Sequence, residues 1–124
     1  MYTAQNHQSD AGQLVAERKK LLDQEVARYV RLLQAYGNPK KIILFGTLAR
    51  GDIHAWPDID LVVVEETRLP FFERLRRVRN LLQPQVGIDV MVYTPEEFEQ
   101  LCADRPFFRD EIAAKGRVLY EHTG

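Results

Sequence analysis

Two short apolar runs constrain what this chain can fold into. "KKIILF", Lys40 to Phe45, is almost continuously apolar and reads as a strand buried on both faces. "DIDLVVV", Asp58 to Val64, is a second strand, rich in β-branched residues. The second run opens on two carboxylates, Asp58 and Asp60. On a strand, residues i and i+2 leave the same face, roughly 6.6 Å apart. At an effective dielectric of 20 two such charges repel by about 2.5 kcal/mol. A fold with no use for the pair would tend to lose or neutralise it.

A third run, "VGIDVMVYT", reads as another strand and carries Asp89 between Ile88 and Val90. If the two strands are neighbours, Asp89 adds a third negative charge beside the pair. Converging carboxylates are relieved most simply by hard divalent cations that take oxygen ligands, and Mg²⁺ suits carboxylates shared with phosphates. The turn before the acidic pair supplies a complementary half. Gly46 lets a ligand approach the backbone. The Thr47 hydroxyl and the N–H groups of a short following helix can donate to phosphate oxygens. Arg50, one turn along, can reach the same phosphates. Anion cradle and acidic pair lie within one 15-residue stretch, Gly46 to Asp60. Together they describe a site for a metal-bound nucleoside triphosphate, and the chemistry expected is in-line nucleotidyl transfer with two metal ions.

The rest of the chain narrows the setting. Its 124 residues fit one domain. With 17 Lys+Arg against 18 Asp+Glu, the net charge of -1 argues against general nucleic-acid binding. No apolar run approaches the roughly 18 residues that span a bilayer, so no membrane segment is expected. The polar start "MYTAQNHQSD" lacks a signal-peptide core, and Cys102 is the single cysteine, so a reducing cytoplasm is the expected compartment. Val15, Leu22, Val26, Tyr29, Leu33 and Tyr36 recur at helical steps, with Ser9 or Asp10 to start the helix and Gly37 to end it. That stripe covers the core or leaves a homodimer open. "LPFFERLRRVRNLLQ" reads as an amphipathic helix with Phe71, Leu75, Val78 and Leu82 inward. Thr94, Pro95 and Glu97 announce a capping-box helix, "PFFRDEIAAKG" a last short helix, and "RVLY" an edge strand.

At this point the residues resemble a known family. "GTLARGDIHAWPDID" is similar to the signature of the DNA polymerase beta-type nucleotidyltransferase superfamily, Gly-Ser, ten residues, then Asp-x-Asp; here ten residues, 48 to 57, separate Gly46-Thr47 from Asp58-Ile59-Asp60. "ARGD" at 49–52, "GIDVMVYTPEEFE" and "KGRVLYE" resemble its minimal nucleotidyltransferase (MNT) subgroup, over about residues 38 to 121. Thr47 replaces the usual Ser and keeps the hydroxyl; Leu48 stands where the subgroup often has Arg. The resemblance implies an α/β (α+β) nucleotidyltransferase fold, a short mixed sheet backed by helices. The expected division is a flexible tail at 1–9, an added N-terminal helix at 10–37 and a nucleotidyltransferase domain at 38–121. It further implies Asp58, Asp60 and Asp89 as catalytic metal ligands, Gly46, Thr47 and Arg50 as nucleotide-binding residues, and ATP as substrate. The implied partner is a helical HEPN-type toxin whose tyrosine accepts AMP, which would make this chain an antitoxin.

Other readings stand beside this one. The chain could neutralise its partner by contact alone, or transfer a nucleotide to a small molecule such as an aminoglycoside. Trp56 reads as loop packing before base stacking, and His54 as a loop residue, since Mg²⁺ prefers oxygen. Arg74, Arg76, Arg77 and Arg79 read as a charged solvated face, as do Arg18, Lys19 and Lys20. Cys102 reads as a small half-buried residue.

Overall fold

The two apolar runs become the middle of a four-stranded sheet. The computed structural model describes residues 4–51 and 58–123, except the side chains of 4–11. Helix α1 (Ala4–Tyr36) leads into β1 (Pro39–Phe45) and the short helix α2 (Gly46–Ala49). Then follow β2 (Ile59–Glu65), α3 (Phe71–Leu82), β3 (Ile88–Tyr93) and α4 (Pro95–Asp104). A π-helical segment (Phe107–Ala114) and β4 (Arg117–Glu121) complete the order. The sheet runs β3-β2-β1-β4. β1 is antiparallel to both β2 and β4, while β2 and β3 are parallel, joined through α3. The expected short mixed sheet backed by helices is what forms.

Helices cover both faces, which is why β1 and β2 are apolar on both sides. On one face Ile42, Leu44, Leu61 and Val63 meet Leu22, Val26, Tyr29 and Leu33 of α1 and Val78 and Leu82 of α3. On the other face Ile43, Phe45, Val62 and Val64 meet Ile112, with Met91, Tyr93, Phe98 and Phe108 around them. Thr94 and Glu97 make the expected capping box at the start of α4. Among the described residues no helix is long and apolar enough to cross a membrane.

Three expectations change. Helix α1 begins at Ala4, so residues 4–9, expected as a tail, are helical. No proline or glycine precedes Gly12, and a helix nucleated downstream propagates through such a segment. The two ends of the apolar stripe also stay outside the core: Val15 is 45% exposed and Tyr36 69%. Third, the arginines of α3 are not one solvated face. Arg74 is buried and donates to the carbonyls of Leu69 and Val92 and to Glu97 Oε1 at 2.7 Å. Its five donors let it tie α3, β3 and α4 together where a lysine could not.

Glu25 interrupts the apolar stripe of α1 and is only 7% exposed. It accepts from Arg28 Nε at 3.0 Å and Nη2 at 2.9 Å, from the Tyr29 hydroxyl at 2.7 Å and from Gln85 N–H at 3.2 Å. The Arg28 hydrogen bonds, opposed by burial, hold its carboxyl at about 2 instead of 4.5. A carboxyl depressed in the folded state stabilises the fold above its unfolded value, and this contribution fades as pH falls from about 4.5 towards 2. Its expected size is about 2 kcal/mol. Urea unfolding of the wild type and Glu25→Gln should show the gap between them shrinking from pH 6 to pH 3. A gap that ignores pH over that range would contradict the assignment.

Candidate active site

Register builds the site. In the parallel β2–β3 pair Asp60 lies opposite Asp89, and Ile59 opposite Ile88. The antiparallel β1–β2 pair sets Phe45 opposite Asp60, so Gly46 follows directly beside that carboxylate. By strand alternation Asp60 and Asp89 share the sheet face of Val62 and Met91. Asp58 sits immediately before β2 and is exposed, as is Asp89, whereas Asp60 is half-buried. The adjacency of the Asp58/Asp60 strand to the Asp89 strand is thus present.

Gly46 has φ +75°, a left-handed conformation that favours glycine. A Cβ there would lie against the Asp60 carboxyl group, 3.2 Å from its Cγ. The missing side chain is what lets the turn close over Asp60. Phe45, at the N-cap of α2, has no side-chain oxygen, and no side-chain cap closes the first turn. Thr47 is half-buried, and Arg50 closes the helix at its C-cap, exposed. Leu48 is buried in the larger core, so position 48 of this chain faces inward. His54 and Trp56 lie outside the described residues.

Burial first, then the charges of Asp89 and Asp58, push the Asp60 carboxyl up to about 6, against the pull of Arg50. Among the described residues, no group of three or more His, Cys, Asp and Glu side chains is arranged to hold a metal ion. The carboxylates are neighbours in charge without sharing one coordination centre. A folded value above the unfolded one means that folding disfavours the ionised form. In chelator, stability therefore falls as pH rises from 3.8 to about 6 and stays lower above that window. Discounted for solvent screening, the effect is about 1 kcal/mol. Asp60→Asn should raise metal-free stability at pH 7.5 by that amount and lose the gain near pH 3.5. Equal denaturation midpoints of the two proteins at pH 7.5 would remove this account.

Residues 24–119 match the family described as the nucleotidyltransferase domain. The chain belongs to that family. A Methanocaldococcus jannaschii protein named as a candidate protein adenylyltransferase is 36% identical over 84 residues, covering 68% of this chain and 81% of that protein. A candidate nucleotidyltransferase from Sulfolobus solfataricus has the same fold, with a TM-score of 0.62, 17% identity and 87% of each chain covered. A toxin–antitoxin structure with AMP-PNP aligns at a TM-score of 0.47 and 18% identity, over 78% of this chain and 73% of that one. The resemblance to minimal nucleotidyltransferases agrees with this membership.

In this nucleotidyltransferase domain one residue beside the carboxylates is not announced by the motif. A Cβ on Gly87 would meet the Asp58 carboxyl group, 3.0 Å from its Cγ, and the Gly87 carbonyl accepts Ile59 N–H at 2.9 Å. Gly87 therefore does for Asp58 what Gly46 does for Asp60. Its signal in the sequence is faint: a lone glycine at the entry of the Asp89 strand.

Proposed function

We propose that this nucleotidyltransferase domain transfers AMP from ATP, with Mg²⁺, to a hydroxyl of a partner protein. The observation that carries the reading is the register pairing of Asp60 with Asp89 at one sheet end, where the charge of Asp58 also acts on Asp60, beside the Gly-Thr turn. The donor chemistry suits a hard cation, since all three side chains offer carboxylate oxygens. They share no coordination centre as they stand and would have to turn toward one another to hold it. Burial with the charges of Asp89 and Asp58 disfavours the ionised Asp60 carboxyl without such a counter-charge. Asp58, Asp60 and Asp89 would hold Mg²⁺, two ions in all, which when bound neutralises developing phosphate charge and activates the attacking hydroxyl. The chain's own work is then to position. Gly46 and Thr47 present donors to phosphate oxygens, Arg50 adds positive charge beside Asp60, and Asp89 assists removal of the acceptor proton.

AMP as the transferred group is supported by the name of the Methanocaldococcus relative. The protein acceptor, a tyrosine of a HEPN-type toxin in the cytoplasm, rests on the resemblance of residues 38–121. Calorimetric titration with ATP, with and without Mg²⁺, tests the site. Expected is Mg²⁺-dependent binding by the wild type and at least tenfold weaker binding by Asp58→Asn/Asp60→Asn. Equal binding by both proteins would place the nucleotide elsewhere.

A further inference from the structure

We propose that α1 is a positioning element for the candidate active site: Glu25 and Arg28 lock the turn from Leu82 to Gly87, and Gly87 sets the entry of β2 that presents Asp58. The kinetic consequence rests on the function proposed above; the structural claim does not.

The turn needs holding. Helix α3 ends at Leu82, and Gln83 takes a left-handed conformation, φ 44°, although it is not glycine. Its backbone groups then face α1. Arg28 Nη1 donates to the Leu82 carbonyl at 2.7 Å and Nη2 to the Gln83 carbonyl at 3.2 Å. Glu25 Oε2 accepts from Gln85 N–H at 3.2 Å. One ion pair, 2.9 Å across, thus binds two carbonyls and one N–H of the same turn. Two residues later Gly87 accepts Ile59 N–H, the bond that opens the parallel β2–β3 ladder, and lies against the Asp58 carboxyl.

A buried ion pair is weak evidence for stability as such, since an apolar pair of similar volume packs as well. An apolar pair would leave the turn's carbonyls and N–H without these partners. The pair therefore specifies the geometry of the turn, and the turn meets the carboxylate at Gly87. Outside α1 the hydrogen bonds given for Glu25 and Arg28 go to the backbone of Leu82, Gln83 and Gln85, so they act on Asp58 through that backbone.

Amide hydrogen exchange by NMR on the full chain tests this without reference to activity. In Glu25→Gln the Ile59 amide is expected to exchange at least tenfold faster relative to the Ile43 and Val62 amides of the same sheet. Arg28→Lys, which keeps the charge but lacks the forked donors, is expected to give the same selective loss. General loosening would accelerate all three amides together. An Ile59 amide that is unchanged, or changes in step with the other two, overturns the proposal. In the transfer assay the expected mark of Glu25→Gln is a Mg²⁺ half-saturation raised about fivefold at saturating ATP, with the KM for ATP unmoved at high Mg²⁺. Absence of Mg²⁺-dependent ATP binding in the wild type would defeat the proposed function while the exchange result still decides the role of α1.

Discussion

Asp58→Asn/Asp60→Asn is expected to lower nucleotidyl transfer by about 10³-fold or more, a loss of at least about 4 kcal/mol of transition-state stabilisation. The substitution keeps shape and removes charge. Asn is nearly the size of Asp, and the half-buried Asp60 is relieved, not strained, by losing its ionisation. The fold should therefore survive, and circular dichroism and unfolding midpoints should show it. What disappears is the anionic oxygen set that a hard cation requires. Asp89→Asn alone should cost about 10²-fold, because Asp58 and Asp60 remain. Mass spectrometry of the acceptor proposed above, reading the addition of AMP, gives the measurement. Full transfer by the double variant would refute the assignment of these carboxylates. Lost transfer with intact neutralisation of the partner would instead select the contact-only antitoxin.

The sheet and its acidic end were legible because strand period and charge are local signals. Lys40–Phe45 and Asp58–Val64 state their own burial, and Asp89 needed only the assumption that its strand lies next to β2, which the register satisfies. The residues that the sequence misleads on or passes over in silence are those whose meaning comes from a distant partner. Arg74 looks like its three neighbouring arginines until Leu69, Val92 and Glu97 close around it. Leu48 stands where the resemblance leads one to look for Arg, and the short helix turns it into the core. Glu25 sits between Leu22 and Val26 in the stripe, and nothing local says that Gln85 will meet it. Gly87 matters only because a parallel neighbour brings Asp58 against it. The start of α1 lies ahead of its apolar stripe for the opposite reason: polar residues without a breaker read as a tail, although helix propagation does not need an apolar face.

Gly46→Ala is expected to destabilise the chain by about 2–4 kcal/mol and to lower transfer about 100-fold. Two separate effects meet at this position. An alanine held at φ +75° pays for the left-handed conformation, about 1 kcal/mol or somewhat more. The new methyl group then meets the Asp60 carboxyl, with Cγ 3.2 Å away and Oδ2 nearer still. Asp60 must leave its rotamer, or the turn must shift, for a further 1–2 kcal/mol or so. Gly51→Ala separates the two effects. Gly51 has φ +81°, and among the described residues a Cβ there meets nothing within 4 Å, so it carries the conformational strain without a described collision. Its expected loss of stability is about 1 kcal/mol. The pair also predicts a difference in titration, because only Gly46→Ala displaces Asp60 from the burial that raises its carboxyl to about 6. The Asp60 side-chain carbon resonance, followed by NMR in chelator, should titrate lower in Gly46→Ala and unchanged in Gly51→Ala. If both variants lose the same stability and leave Asp60 titrating as in the wild type, the close approach of turn and carboxylate is not what glycine is needed for at position 46.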